Sequence, residues 1–333
     1  MDTSQSNQSK KKRHYVIYGS GAVGSTIGAR LWLSGKEVTL VARGDHGEIL
    51  QSRGLHFLTP ESEEVLSIPA VCDISDISFT PDTILLLCVK SQQTQLALEK
   101  LVLNAPAELP VCCVQNGVAN ERNVLRYFRN VYATLVNLPA MYLQPGEVAS
   151  YVKGLAGVLD TGKFPYGSDE LSEEITSDLR QAGFGAVADA KVMRKKYAKL
   201  LMNVGNAVQA ILEASRDTRQ IYSAVRQEAE DCYSAQEIEF ATREEMAKIA
   251  EEMVIAPVKG YEKTAGSSWQ SLERGTGDIE TEYLNGEISF LGRMNGIPTP
   301  YNDLLVLLAR EFVLAKRRPA TMTVADFLDR LGR

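Results

Sequence analysis

Gly19-Ser-Gly-Ala-Val-Gly24 has the G-x-G-x-x-G spacing of a loop that can hold a dinucleotide. Gly19 permits a sharp turn, Gly21 lets backbone approach a pyrophosphate with no Cβ in the way, and Gly24 lets a helix pack closely on the preceding strand. Ser20, Ala22 and Val23 fill the positions between, where backbone N–H groups at a helix start suit phosphate. A second group, Ala42-Arg43-Gly44, follows the apolar run Glu37–Ala42. An NAD site would place Asp or Glu there for the ribose 2′-hydroxyl, whereas a guanidinium suits a 2′-phosphate through paired charge-assisted bonds. Arg43 therefore points to NADP. Asp45 lies beyond the strand end, and a solvated loop arginine is the plain alternative. A third group is Lys199, Asn203 and Asn206. At about 100° per residue, Asn203 lies roughly 40° from Lys199 and Asn206 roughly 20° on its other side. Leu200, Leu201, Val204, Val208, Ile211 and Leu212 fall about 100–220° away, so the helix has an apolar face and a separate polar stripe. A wet helix face would look the same, but asparagine is a poor interior helix residue, and two on one stripe suit a polar pocket.

The elements that must position these groups are legible around them. Tyr15–Tyr18 is a short apolar run that reads as a buried strand, and Ile27, Leu31 and Trp32 share one face of the helix that follows. With Glu37–Ala42 as second strand, the first βαβ unit closes as a nucleotide-binding half should. The continuous run Thr83–Val89 reads as a central parallel strand. It ends in Lys90-Ser-Gln-Gln-Thr94, at the end of the sheet where open α/β folds bind ligands. A helix at 46–53, a small hairpin at 55–69 and a helix at 95–103 accompany these. Strands are expected at 111–115, 131–136 and 156–159, with a helix at 171–181. The first half is thus a doubly wound α/β domain of Rossmann type, residues 14–188. Residues 189–333 carry helical periods, at 189–255, 281–292, 302–316 and from 324, around a glycine- and serine-rich stretch at 264–277. The second half reads as an all-helical domain.

Composition bounds the rest. The chain has 333 residues, 44% hydrophobic and 23% charged, which suits two soluble globular domains. A net charge of −6 leaves no electrostatic footprint for nucleic acid. No apolar run reaches membrane-spanning length. The five cysteines include no C-x-x-C pair and there are only three histidines, so no metal site is expected. Buried free thiols imply a reducing compartment, and a cytoplasmic location is the expectation. Residues 1–13, polar and ending in Lys10-Lys-Lys-Arg13, lack the apolar core of a secretory signal and read as a solvated tail.

The chain resembles the ketopantoate reductase (2-dehydropantoate 2-reductase) family over nearly its whole length after the tail. The resemblance rests on Gly19–Gly24, Val38–Arg43, Val89-Lys90, Gln115-Asn116-Gly117 and Lys199-Leu-Leu-Met-Asn203. It continues in Ser267-Ser268-Trp-Gln-Ser-Leu-Glu-Arg-Gly275, Glu280 and Tyr283-Leu-Asn-Gly286. It implies NADPH as cofactor, a short 2-keto acid as substrate, Lys199 as general acid and Glu280 as its acidic partner. Asn203 and Asn116 would bind substrate, Asn116 also facing the nicotinamide. Lys90 would line the cofactor cleft, and Arg43 would take the 2′-phosphate. Ser267 or Ser268 would hold the substrate carboxylate, depending on how a one-residue-longer loop after Gly275 is matched. Two further departures stand out. The family's further asparagine falls at Ala207, with Asn206 one residue short, and its Thr-Glu pair is Ile279-Glu280.

The implied reaction passes hydride to a C2 ketone and leaves an alkoxide for Lys199 to protonate. A lysine serves as acid when partial burial lowers its pKa, and a nearby carboxylate opposes that shift. Two other readings fit the same residues: an NADP-binding regulator without turnover, and a reductase of a different 2-keto acid. The helices also suit subunit pairing, which makes a homodimer an expectation.

Overall fold

The computed structural model describes residues 12–251, 253–261, 266–275 and 279–332. The polar tail through residue 11 and parts of the 264–277 stretch lie outside the described residues. The tail reading extends too far at its end, because Arg13 forms a two-bond ion pair with Glu174 at 3.0 and 2.6 Å.

The first half is organised on β1 (His14–Tyr18), α1 (Ala22–Leu33), β2 (Glu37–Val41), α2 (Gly44–Arg53), β3 (Leu55–Leu58), β4 (Glu63–Leu66) and β5 (Ala70–Val71). Then follow β6 (Thr83–Leu87), α3 (Thr94–Leu101), β7 (Val111–Cys113), α4 (Asn120–Leu125) and β8 (Val131–Thr134). Seven strands make one sheet, whose order includes β12 (Thr161–Lys163) at its edge: β12-β8-β7-β6-β1-β2-β5. All its pairs are parallel except β12 on β8. Strand order reverses between β1 and β6, the crevice where such sheets take a ligand. Buried on both faces, these strands read as apolar runs with period 2. Tyr15, Ile17, Leu40, Ile84 and Leu86 enter one core cluster, and Val16, Tyr18, Val41, Leu85 and Leu87 the other.

A second sheet covers α1. The hairpin β3–β4 pairs through β3 with β10 (Glu147–Ser150), which pairs with β9 (Ala140–Gln144), in the order β4-β3-β10-β9. α1 is thereby packed between the two sheets, and Phe57 and Val148 share its core with Ile27 and Leu31. The strand expected at 156–159 is absent: Val158 makes only single bridges, to Asn137 and Gly185, and the edge strand is β12 instead. The helix α5 (Glu170–Gln181) is fixed by a capping box between Asp169 and Ser172.

The second half comprises α6 (Val192–Asn203), α7 (Gly205–Ile211), α8 (Thr218–Ala235), α9 (Arg243–Glu251), α10 (Ser267–Glu273), α11 (Thr281–Asn295), α12 (Pro300–Leu314) and α13 (Val324–Arg330). Its core gathers Leu200, Leu201, Val204, Val208, Ile211 and Leu212 with Ile288, Leu305 and Phe312. One short strand departs from the helical reading. β13 (Met253–Ile255) pairs antiparallel with β11 (Val152–Gly154) of the first half. Three residues are too few for a period-2 pattern to show.

Candidate active site

The glycine loop sits where β1 ends. Gly19 has φ +102°, and a Cβ there would lie 2.6 Å from the Val89 backbone nitrogen, so glycine alone permits the approach of β1 to β6. A Cβ at Gly24 would lie 2.3 Å from the Gly19 carbonyl oxygen, while one at Gly21 would meet nothing within 4 Å among the described residues. Two of the three glycines are therefore demanded by packing, and Gly21 leaves room for a ligand. Gly21 is the N-cap of α1 and brings no side chain to its first N–H groups, which stay available to an anion. Ala22 and Val23 are half-buried in that first turn. Ser20 is buried, and both its hydroxyl and its backbone N–H donate to the Val41 carbonyl, each at 3.2 Å. Arg43 stands exposed at the N-cap of α2, past β2, on the opposite side of β1 from Lys90. The loop, the open space at Gly21 and the exposed guanidinium fit a dinucleotide carrying a 2′-phosphate.

On the β6 side, residues from both halves meet. Lys90 donates from Nζ to Ser271 Oγ of α10 at 3.1 Å. The adjacent Ser91 directs its backbone N–H and its hydroxyl at Glu280 Oε1, at 3.3 and 3.4 Å. Glu280 is the N-cap of α11. The Asn116 carbonyl, past β7, also accepts from Ser91 Oγ at 3.4 Å. Behind Ser91 a buried network holds the arrangement: Asn120 Nδ2 donates to Ser91 Oγ, Thr94 Oγ1 to Asn120 Oδ1, and Gln115 Nε2 to Thr94 Oγ1, at 3.0, 2.9 and 2.8 Å. Among the described residues Gln115 Oε1 has no hydrogen-bond partner, but the chain of bonds from Gln115 through Thr94 and Asn120 to Ser91 fixes the Ser91 hydroxyl. The sequence reading gave no role to Ser91, Thr94 or Asn120, although Ser91 and Thr94 stood in the polar run past β6.

α6 carries the lysine stripe. Lys199 is half-buried and donates to Asn137 Oδ1 at 3.4 Å, a residue absent from the sequence reading. Asn203 is buried, with Nδ2 left without a hydrogen-bond partner among the described residues. The helix is interrupted at Val204, but that residue keeps a right-handed helical φ and ψ, so the stripe continues into α7. Asn206 lies beside the start of α10, where a Cβ on Gly266 would come 3.4 Å from its Oδ1. There Ser267 is exposed and Ser268 buried. Both departures from the family pattern have a packing reason, for Ala207 and Ile279 lie in the helical core.

The ammonium of Lys196, one turn before Lys199, donates to the carbonyls of Gln115 and Thr134 at 2.8 and 3.2 Å. Glu121 lies 2.8 Å from it, with neither side chain more than 3% exposed. Glu121 makes no aligned hydrogen bond, so charge holds this pair. It ties α6 to the ends of β7 and β8. Arg122, itself exposed, donates a hydrogen bond to Glu287 of α11 at 2.5 Å, and burial pushes the Glu287 carboxyl pKa up.

The family models match both halves. Residues 15–165 fit the model described as ketopantoate reductase PanE/ApbA, and residues 191–312 fit its C-terminal counterpart. The chain belongs to the ketopantoate reductase family. It is 30% identical over 306 residues to the 2-dehydropantoate 2-reductase of Archaeoglobus fulgidus, covering 88% of this chain and 96% of the relative. Among solved structures, the PanE/ApbA family ketopantoate reductase from Ralstonia eutropha JMP134 is 26% identical with a TM-score of 0.77, covering 92% of this chain and all of that one. The ternary structure of D-mandelate dehydrogenase with NADH and anilino(oxo)acetate shares the fold, at 22% identity and a TM-score of 0.78, covering 91% of this chain and 99% of that one. Among the described residues no helix is long and apolar enough to cross a membrane.

Proposed function

We propose that this chain reduces the C2 ketone of a short 2-keto acid with NADPH, and that its substrate is 2-dehydropantoate, converted to pantoate. Residues 14–188 serve as the cofactor half and 189–333 as the substrate half. The observation that carries the reading is the meeting of Lys90, Ser91 and Asn116 with Ser271 and Glu280, where the two halves close beside the glycine loop. Bound NADPH supplies the hydride. Gly19–Gly24 cradle its pyrophosphate, Arg43 its 2′-phosphate, and Lys90 lines the cleft. Asn203 and Asn206 orient the ketone and Asn116 faces the reacting carbon. Ser267 or Ser268, at the start of α10, holds the carboxylate. The Lys199 ammonium gives its proton to the alkoxide oxygen, and Glu280 orients the substrate hydroxyl while tuning the lysine.

The relationship to the Archaeoglobus enzyme supports the choice of substrate. Five free cysteines support a reducing, cytoplasmic setting. α11 and α12 pack on each other and leave Phe290, Met294, Leu307 and Leu314 exposed, which supports a homodimer.

The test is to follow NADPH absorbance with a panel of 2-keto acids, and to titrate NADPH directly. Lys199→Ala should lower kcat by about 10²–10⁴-fold, with the NADPH Kd unchanged. Glu280→Ala should lower kcat and raise the keto acid KM. Their losses combined should be less than additive, because residues acting as one unit fail together. NADPH binding with no oxidation by any keto acid would leave the non-catalytic regulator. Preference for another keto acid would move the substrate and keep the chemistry.

A further inference from the structure

His46 is buried, 8% exposed, in the first turns of α2, and the mechanism above does not use it. Its two ring nitrogens reach two different parts of the fold. Nε2 lies 2.6 Å from the Ser20 carbonyl oxygen inside the glycine loop. Nδ1 lies 2.8 Å from the Gly146 backbone nitrogen, in the β9–β10 turn of the second sheet. An amide nitrogen only donates, so Nδ1 accepts, and the ring proton sits on Nε2 and is donated to Ser20. Burial pushes the imidazole pKa down and favours this neutral form. Tyr142 of β9 meets the ring edge-on at 5.0 Å, and its carbonyl accepts from Arg274, just past α10, at 2.6 Å. Arg274 and Asp45 of α2 are the charges that act on Tyr142.

The position of this ring on α2 gives it a second effect. Arg43, the N-cap of the same helix, stands three residues before His46. α2 approaches the end of β2 so closely that a Cβ on Gly47 would lie 2.2 Å from the Ala42 carbonyl oxygen. Ser20 belongs to the loop that would hold the pyrophosphate, and Arg43 is the group that would hold the 2′-phosphate. A rigid ring joining the two fixes the distance between the two anion sites. We infer that His46 is a positioning residue for cofactor choice, holding Arg43 in register with the glycine loop so that the pyrophosphate and the 2′-phosphate of NADPH are met at once. The inference rests on the reading of the glycine loop as a dinucleotide site.

A general loosening of the loop would weaken both cofactors alike, whereas loss of register penalises only the one that uses Arg43. Kd values for NADPH and NADH should be measured by quenching of protein fluorescence, without substrate. The chains to compare are the wild type, His46→Phe, His46→Gln, Arg43→Ala and the Arg43→Ala/His46→Phe double variant. His46→Phe keeps a ring against Tyr142 and removes both hydrogen bonds, and His46→Leu replaces it if it does not fold. The expected result is a loss of NADPH affinity on the order of tenfold in His46→Phe, with NADH affected less than about threefold. His46→Gln, with a donor and an acceptor of its own, should stay within about threefold of wild type for both. On the Arg43→Ala background, His46→Phe should no longer change the NADPH-to-NADH ratio. Equal losses for both cofactors, no loss in His46→Phe, or a ratio that still shifts without Arg43 would overturn the inference. A wild-type chain that binds neither cofactor would instead remove the dinucleotide reading beneath it.

Discussion

Replacing Lys196 by methionine should unfold this protein more readily than any exposed lysine substitution. The ammonium is 3% exposed and Glu121 is wholly buried, 2.8 Å away. Lys196→Met therefore leaves a buried carboxylate with no cation. It also strips a donor from the Gln115 and Thr134 carbonyls. Breaking a buried pair by removing one partner costs about 3–5 kcal/mol, whereas an exposed pair is worth about 0–1 kcal/mol. Replacing both charges by side chains of similar volume, Lys196→Met with Glu121→Leu, removes the stranded charge and should recover most of that loss, leaving about 1–3 kcal/mol for the two carbonyls that still lack their donor. The assay is urea unfolding followed by far-UV circular dichroism, with a double-mutant cycle giving a coupling of at least about 3 kcal/mol, since each single variant strands one buried charge and the double strands none. Turnover should not return with stability. The double variant still lacks the tether from α6 to the ends of β7 and β8, one turn before Lys199, so kcat should remain depressed. A single variant costing less than about 1 kcal/mol, or a double as unstable as the two losses summed, would refute the reasoning.

Arg43→Ala should cost NADPH binding about 1.5–3 kcal/mol and leave NADH nearly unchanged, with equal effects counting against the 2′-phosphate assignment. Ser91→Ala removes one of two bonds to Glu280 Oε1 and should lower kcat/KM for the keto acid by about tenfold, with the NADPH Kd unmoved; an unchanged kcat/KM would free Glu280 of Ser91. Burial lowers the pKa of both His14 and His46 in the folded chain. The unfolded chain then binds protons first as pH falls. Their contribution to stability is complete above about pH 6.5 and is lost progressively below it. Thermal unfolding across pH 4–8 should show a slope in that window (about one proton per histidine) that His14→Gln and His46→Gln flatten.

What the sequence by itself determined are the features set by neighbours along the chain. Tyr15–Tyr18 followed by three spaced glycines needed only local rules to read as strand, turn and helix, and Arg43 was placed by its distance from that turn. The stripe of Lys199, Asn203 and Asn206 followed from helical geometry alone and survived the interruption at Val204. Lys90, Asn116 and Glu280 entered through the motifs of the family. Tertiary structure decided everything that depends on which distant segments meet. Ser91 became the bridge to Glu280, 189 residues away, and Asn137 the partner of Lys199, because the two halves close on one sheet edge. Nothing in the sequence marks Lys196, which is enclosed where α6 meets α4 and the ends of β7 and β8. The run at 156–159 has the composition of a strand, but only single bridges at Val158 form there, with Asn137 and Gly185. β13 is too short to show a period and exists because β11 offers it an edge. Pattern along a chain reports burial and local geometry, whereas hydrogen-bond partners and ion pairs depend on the closing of long loops, which leaves no periodic trace.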